Sequence, residues 1–398
     1  MSTEIEAELR AAFEAASESV RPRADLAERV RRTSRRRSRL ALASALAVIA
    51  ILAGAAYLAS SLVSGQHRPV TGHRTVTSGV GPRLTITLPP GEGVQALAVG
   101  GPDLYLATDY GGNPPYALSA YNRTTGRLIR HVGVPAMPAA LHVGPGGSVW
   151  LTFYPDQGGG PSGTWLLNAD LSRRSSAALG STDILPTSPD TAMLASQYAL
   201  TILKMPPPGT PGHATAHADP ATDINGHLAV NTLTPIAGHV AAQVTDGYGF
   251  HSHLVIAGQP HLTFGGSSRQ QVGYVTAEDN GLWVTTATRS KPNVGPLVRL
   301  SATLRLITPS AIRVNPVLGQ AEQVWSHGST VWVATAAAGH PLVCFTYRGG
   351  MGSISTIPLR GQPAALTATG DTVYVTLATG VADITSDVFA YSIPGDCR

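Results

Sequence analysis

Ser329-Thr330-Val331-Trp332-Val333-Ala334 is one copy of the pattern that decides the fold of this chain. A turn residue such as Ser, Gly, Asn or Asp precedes a short apolar strand, and an aromatic residue stands at its centre. Four further clear copies are Asp103–Thr108, Gly147–Thr152, Asn280–Thr285 and Asp371–Thr376. Other apolar runs lie between the copies, so each repeat contains several short strands.

The aromatic positions recur about every 44 residues. Consecutive clear copies are separated by 45, 49 and 42 residues. The 133 residues between Trp150 and Trp283 hold three periods, with degenerate copies centred on Met193 and Ala241. Seven four-stranded repeats of this length predict an all-β, seven-bladed β-propeller over residues 84–398. In that fold the repeated aromatic residues pack between blades.

The end of the chain predicts how the ring closes. Only three strands are expected in the last repeat, whereas Arg83–Leu88 is a spare strand ahead of the first repeat. Pairing of this strand with the outer edge of the last blade would leave no loose edge. The two cysteines, Cys344 and Cys397, lack the companions of a zinc site, so we expect a disulfide that holds the C-terminus near the seam.

Leu40–Val63 is a run of 24 residues without a charged side chain or proline. A helix of this length spans a hydrocarbon core of about 30 Å. Residues 1–39 contain ten arginines, so the positive-inside rule predicts a cytoplasmic N-terminus and an exported C-terminal domain. A cleaved signal peptide is the alternative, but its apolar core would normally be only about 7–15 residues. The predicted location is the cell membrane, with a single pass and a spacer over residues 64–83.

Charge is distributed unevenly along the chain. Residues 1–39 carry ten basic and seven acidic groups, whereas residues 66–398 carry eighteen and seventeen. The nearly neutral exported part provides no basic surface for nucleic acid. The arginine block beside the membrane is either a topology signal or a contact with anionic lipids.

The N-terminal tail predicts a short amphipathic helix over residues 3–20. Ile5, Leu9 and Phe13 recur at helical spacing, and Pro22 ends the pattern. This helix could bind a cytoplasmic partner or lie along the membrane. The single-pass layout is similar to that of anti-sigma factors, but the tail lacks their His/Cys zinc motif.

Ala120–Arg130 resembles the AxDxxTGxxxW segment of pyrroloquinoline-quinone-type propeller repeats. It departs from that segment at Asn122, where Asp is usual, and at Arg130, where Trp is usual. The resemblance extends over residues 84–393 to the superfamily of quinone-repeat-like and streptogramin-lyase-like propellers, and the layout is similar to that of actinobacterial single-pass proteins. It implies that Thr125-Gly126 forms a turn between outer strands, and it does not imply the quinone cofactor.

Candidate ligand-binding and metal-binding residues are few. His251 and His253 lie two positions apart on an expected strand, so they would point the same way and could face the channel. Glu278-Asp279 pairs two acids within a turn. His213, His217 and Asp219 could hold a divalent metal, although the surrounding prolines favour a long polar loop. Each of these residues also has an ordinary structural interpretation. No other cofactor is expected.

The sequence favours a membrane-anchored binding or scaffolding module at the cell surface, with an exported protein, glycan or small molecule as ligand. No GxSxG, Walker or HExxH motif is present. Two alternatives remain open at this stage. One is an exported metal-assisted lyase or hydrolase that uses channel-facing histidines and carboxylates. The other is a transmembrane signalling protein or anti-sigma-like regulator.

Overall fold

The computed structural model describes residues 76–77, 81–89, 92–109, 116–154, 163–195, 200–207, 213–218, 228–246, 252–266, 271–278, 280–287, 294–307, 317–336, 342–348, 351–378 and 387–397. The predicted cytoplasmic tail and the predicted membrane helix at Leu40–Val63 lie outside these residues. Within the described part of the chain, no helix is long and apolar enough to cross a membrane.

The described residues form short strands, buried near the ring axis and more exposed at the outer edges of the blades. In chain order the strands are β1 (Val76–Thr77), β2 (Leu84–Thr87), β3 (Gly93–Gly100), β4 (Asp103–Asp109), β5 (Tyr116–Asn122), β6 (Leu128–Gly133), β7 (Pro138–Val143), β8 (Val149–Phe153), β9 (Gly163–Leu167), β10 (Arg173–Ala177), β11 (Asp183–Pro186), β12 (Thr191–Ala195), β13 (Leu200–Lys204), β14 (Thr215–Ala218), β15 (Leu228–Ile236), β16 (His239–Asp246), β17 (Ser252–Ile256), β18 (Gln259–Gly265), β19 (Gln271–Glu278), β20 (Gly281–Ala287), β21 (Leu297–Ser301), β22 (Ala321–His327), β23 (Thr330–Thr335), β24 (Leu342–Thr346), β25 (Ser355–Ile357), β26 (Gln362–Thr369), β27 (Thr372–Ala378) and β28 (Asp387–Ser392).

These strands form seven sheets, which confirms the predicted seven-bladed β-propeller. Blades 1 to 4 are the antiparallel sheets β3–β6, β7–β10, β11–β14 and β15–β18. Blade 5 contains β19–β21, blade 6 contains β22–β25 with β1 at its edge, and blade 7 contains β26–β28 with β2 at its edge. The repeated aromatic position lies on the second strand of every blade.

The repeated position packs between blades, as the sequence predicted. Each member shares one hydrophobic cluster with residues that flank the corresponding position of the next blade. The contacts join Tyr105 to Val149 and Leu151, Trp150 to Ala192 and Leu194, Met193 to Val240 and Ala242, Ala241 to Leu282 and Val284, Trp283 to Val331 and Val333, Trp332 to Val373 and Val375, and Tyr374 to Leu104 and Leu106. The hydrophobic core is therefore a closed circle of seven interfaces.

The two tyrosines at this position also donate hydrogen bonds across the interface. The Tyr105 hydroxyl donates to the Ala169 carbonyl oxygen over 3.0 Å, and the Tyr374 hydroxyl donates to the Arg123 carbonyl oxygen over 3.1 Å. Burial, with a smaller effect of Asp103, raises the pKa of Tyr105 to about 12. The phenol therefore stays protonated and remains a donor near neutral pH.

The ring closes through an N-terminal strand, as predicted. β2 pairs antiparallel with β28, with Leu84 opposite Ala390 and Thr87 opposite Asp387. Ile86 is buried in the cluster that joins blades 7 and 1. One pairing was not predicted: β1, within the expected spacer, adds in parallel to β25 at the outer edge of blade 6.

The predicted turn at Thr125-Gly126 connects β5 to β6. Asn122 Oδ1 accepts hydrogen bonds from the backbone N–H groups of Thr124 and Thr125 and from the Thr125 hydroxyl. Gly126 has a φ of +69°, which glycine adopts without strain. Asn122 therefore serves as the acceptor in the place where the resembling repeats have Asp.

Cys344 and Cys397 form the predicted disulfide, with 5.9 Å between their Cα atoms. Cys344 lies on β24 of blade 6, and both cysteines are fully buried. The Thr330 hydroxyl donates to the Cys397 carbonyl oxygen over 2.5 Å. The C-terminus is therefore fixed to blade 6 after the chain has completed blade 7.

We expect the double substitution Cys344→Ser and Cys397→Ser to lower the free energy of unfolding by about 2–4 kcal/mol. The reason is that the bond closes a loop of 53 residues, and its loss frees the unfolded chain. Chemical denaturation followed by tryptophan fluorescence measures the change. The wild-type protein under reducing conditions should behave like the double variant, and equal stability of all three samples would contradict the prediction.

Candidate functional site

A cavity of about 670 Å³ occupies the centre of the ring. Every blade contributes residues of its first strand to the wall, and Tyr154 and Thr182 lie beside those strands. The first strands are β3, β7, β11, β15, β19, β22 and β26. This cavity is the propeller channel, and it is the candidate binding site because ligand pockets have similar volumes.

A β-bulge interrupts the first strand near its amino-terminal end in six blades. At each bulge one extra residue opposes the second strand, which turns a side chain away from the regular alternation. We take one residue from each bulge as the bulge ring: Gln95, Ala139, Asn231, Tyr274 (which shares its bulge with Gly273), Glu322 and Ala364. Because the first strands run in the same direction around the ring, the bulge ring marks one mouth of the channel.

Threonines on the second strands bond to the backbone of the first strands or of the segment that precedes them. The Thr285 hydroxyl accepts from the Tyr274 backbone N–H over 2.8 Å and lies 3.4 Å from the Glu322 carbonyl oxygen of the next blade. The Thr376 hydroxyl accepts from the Ala365 N–H over 2.9 Å, and Thr152 donates to the Ser181 carbonyl of the next blade over 3.2 Å. All three threonines are buried.

The sequence did contain a signal for this mouth. A threonine follows the repeated aromatic by two or three positions in every clear copy, at Thr108, Thr152, Thr285, Thr335 and Thr376. The bulges themselves have no sequence signature, because any residue can occupy the extra position. The recurring threonines would have indicated a special backbone geometry on the adjacent strand.

Amide side chains at the bulge mouth are fixed by hydrogen bonds within the wall. Gln95 Nε2 donates to Asp109 Oδ2 over 2.9 Å, and Asn231 Nδ2 donates to Thr245 Oγ1 over 3.2 Å. Gln323 Nε2 donates to the Tyr274 hydroxyl over 3.2 Å. The channel mouth therefore presents oriented polar groups rather than mobile ones.

Tyr274 is the one aromatic residue of the bulge ring, and 49% of its surface is accessible. Desolvation raises the pKa of its phenol, the hydrogen bond from Gln323 opposes that effect, and the Glu322 carboxylate adds a smaller upward effect. The phenol therefore stays neutral near pH 7. Its ring is available to a ligand in the channel.

Asp183 connects three neighbouring first strands. Its carboxylate accepts from His142 Nε2 of β7 over 3.1 Å, from the Leu233 N–H of β15 over 2.8 Å, and from its own neighbour Ile184 over 2.8 Å. Its side chain is 12% exposed, whereas that of His142 is 40% exposed and lines the channel. The sequence analysis missed both residues, because they are 41 positions apart and belong to different blades.

The Glu278 side chain is buried and does not line the channel. It ends β19 in the predicted turn, and its carboxylate lies 3.6 Å from the Arg299 guanidinium. The guanidinium also stacks over the Tyr347 ring, 4.1 Å from its centroid, and Trp283 Nε1 donates to the Glu278 carboxylate over 3.4 Å. This buried pair belongs to the interface between blades 5 and 6.

The structure describes one of the two histidines predicted to bind a ligand, His253, and this residue does not line the channel. His253 lies on β17, the third strand of blade 4, and the channel wall is built from first strands. The expectation that His253 faces the channel is therefore wrong. His251 and Asp279 lie outside the described residues. Ligand binding by these residues stays a prediction.

The structure describes two of the three residues that were predicted to bind a metal ion. His213 and His217 are exposed, and Asp219 lies outside the described residues. The expected long loop is interrupted, because β14 forms the outer strand of blade 3 and His217 pairs with Ile202. Among the residues that the structure describes, no three His, Cys, Asp or Glu side chains are grouped to hold a metal ion.

Comparison with known proteins supports the fold. No family model and no curated protein matches the chain. The β-propeller domain of Cps50 (Swd1) from Myceliophteria thermophila is 12% identical, with a TM-score of 0.55 over 77% of this chain and 99% of that chain. A chain of a mitotic checkpoint complex is 12% identical, with a TM-score of 0.54 over 83% of this chain and 97% of that one.

A third similar structure is the computationally designed Ika8 protein, at 12% identity and a TM-score of 0.50, covering 79% of this chain and all of that chain. Identities this low show the fold alone. The chain is thus a seven-bladed β-propeller, and the narrower resemblance to quinone-repeat-like propellers stays a prediction.

We expect Thr285→Val to lower the free energy of unfolding by about 1–3 kcal/mol, because the isosteric side chain leaves the Tyr274 N–H without its acceptor. Thr285→Ser keeps the hydroxyl and loses one methyl group, so it should cost only about 0.8 kcal/mol. Denaturant unfolding of the full chain measures both values. A larger loss for Ser than for Val would contradict the bulge-holding role.

We expect Asp183→Asn to lower the free energy of unfolding by about 1–3 kcal/mol, because an amide NH₂ would then face a donor. His142→Ala removes one of the three bonds and should cost less. Urea denaturation of both variants gives the comparison. The connecting role of Asp183 is wrong if Asp183→Asn is as stable as wild type.

Proposed function

We propose that this protein is a membrane-anchored binding module whose propeller, outside the membrane, holds an exported ligand at the bulge-ring mouth of its channel. The observation that carries this proposal is the channel, whose wall includes residues of all seven blades. Threonines and amides fix the side chains at the mouth in defined orientations. A site prepared in this way loses little conformational freedom when a ligand binds.

The location outside the membrane is part of the proposal. The apolar run Leu40–Val63 and the arginines that precede it support a single membrane pass with the N-terminus inside. The disulfide between Cys344 and Cys397 is consistent with an oxidising compartment. Export would place the propeller beside the surface components that such a module binds.

A metal-assisted lyase or hydrolase is the second candidate, and the exposure of His142 to the channel favours it. A histidine held by a carboxylate can act as a general base. However, the Asp183 carboxylate accepts two backbone N–H bonds besides that of His142, which suits a structural connection between blades. We therefore place the binding module first.

One labelling experiment tests both the binding site and its side of the membrane. Ala364→Cys places a thiol in the bulge ring, Ile129→Cys places one on the exposed outer strand β6, and Ser2→Cys places one in the predicted cytoplasmic tail. A membrane-impermeant maleimide–benzophenone reagent is added to intact cells and then illuminated. We expect labelling at residues 364 and 129, none at residue 2, and a crosslinked adduct only from residue 364.

The outcomes test the orientation in the membrane separately from the position of the binding site. Labelling of Ser2→Cys alone in intact cells would overturn the orientation. Equal adducts from the channel mouth and from β6 would overturn the channel mouth as the binding site. Turnover of an added substrate that His142→Ala abolishes, without loss of stability, would favour the enzyme instead.

A further inference from the structure

We propose that the bulge-ring mouth binds an uncharged saccharide, either a short oligosaccharide or the end of a longer glycan. This inference rests on the proposed binding function and names the chemical class of its ligand. It follows from the charge of the channel wall, the amides at the mouth, and the aromatic rings beside them.

The channel wall favours a neutral ligand. Of the described residues that line the cavity, His142 and Asp183 alone are ionisable apart from the tyrosines. The Asp183 carboxylate is bound by His142 and by two backbone N–H groups, so its charge is already compensated.

Two carboxylates lie beside this wall: Glu322 of the bulge ring accepts from Gln362 Nε2, and Asp109 accepts from Gln95 Nε2. They would repel a phosphate or a sulfate, which would also lose its hydration. For a metal ion, the described residues provide no group of three ligating side chains.

The amides suit a ligand rich in hydroxyl groups. A side-chain amide has two N–H donors and a carbonyl acceptor, and the bonds within the wall use one donor of Gln95 and one of Asn231. Each amide thus keeps hydrogen-bonding capacity while its plane is fixed. Sugar hydroxyls both donate and accept, so they match such groups.

Two tyrosines lie at the same mouth. Tyr274 belongs to the bulge ring, and its ring is fixed by the bond from Gln323. Tyr154 follows β8, whose last residue pairs with Pro138 at the amino-terminal end of β7. The electron-rich face of an aromatic ring attracts the C–H groups on the flat side of a pyranose. Amide side chains and tyrosine rings that line one cavity are a combination that suits a saccharide.

The size of the channel agrees with this class of ligand. Its volume of about 670 Å³ lies within the usual range of small-molecule sites. Trp325 lines the same cavity and is partly buried. By contrast, Trp150, Trp283 and Trp332 are completely buried between blades. Binding in the channel should therefore change the fluorescence of Trp325 and leave those three tryptophans unaffected.

The test uses the full-length chain in a detergent without a sugar headgroup. Cellotetraose, maltotetraose and chitotetraose are the neutral probes, and tetragalacturonate is the charged one. Calorimetry and tryptophan fluorescence measure binding, with Trp325→Phe as the control for the origin of the signal. We expect saturable binding of at least one neutral probe and weaker binding of the charged one.

The variants locate the site. Tyr274→Ala should weaken binding at least about tenfold, whereas Tyr274→Phe, which keeps the ring, should stay within about threefold of wild type. Asn231→Ala, in a different blade, should also weaken binding, and Ile129→Ala on the outer strand should not. Thermal unfolding of each variant, recorded in parallel, identifies any loss of binding that is due to misfolding.

Three results would overturn the saccharide class: no saturable binding of any neutral probe, tighter binding of tetragalacturonate, or binding unchanged in both Tyr274→Ala and Asn231→Ala. The crosslinking experiment at residue 364 keeps this failure separate from failure of the proposed function. A crosslinked adduct at residue 364 without saccharide binding would support the binding module and indicate a ligand of another class.

Discussion

The contact between one blade's repeated residue and the next blade's second strand is the interaction on which this structure depends. Trp332 packs beside Val373 and Val375, and Tyr374 packs beside Leu104 and Leu106. The contact of Tyr374 lies between blades 7 and 1, where the two ends of the ring meet. The seven repeats alone provide no loop to connect these two blades. β2 supplies that connection by joining blade 7 from the N-terminal side of blade 1, which removes the open edge of the sheet.

The same second strands shape the channel. The repeated aromatic side chain faces the neighbouring blade, while the threonine that follows it bonds to the bulge of a first strand. A bulge changes the direction of one side chain without breaking the sheet. Packing between blades and side-chain placement at the axis are therefore consequences of one short segment, repeated around the ring.

Several features could be predicted from the sequence because they depend on local pattern. The spacing of the aromatic residues predicts the number of blades, and the spare strand near Ile86 predicts closure. Other features depend on neighbours that are distant in sequence. Asp183 meets His142 and the Leu233 N–H across three blades, and β1 reaches the edge of blade 6 from the expected spacer. His253 shows most clearly what the sequence pattern cannot predict. The pattern indicates which way a side chain points on its strand, but it does not reveal that strand's position within the blade.

The sequence by itself determined the repeat, the number of blades, the strand that closes the ring and the pairing of Cys344 with Cys397. Period and strand pattern are enough for the first three, because each blade must bury the same kind of face. The cysteine pairing follows from the count, since a chain with two cysteines allows one intramolecular disulfide. Only the tertiary structure decided which side chains meet at the channel. Gln95, Asn231 and Tyr274 lie in three different blades, and the ring brings them to one mouth because the first strands share a direction and a bulge position.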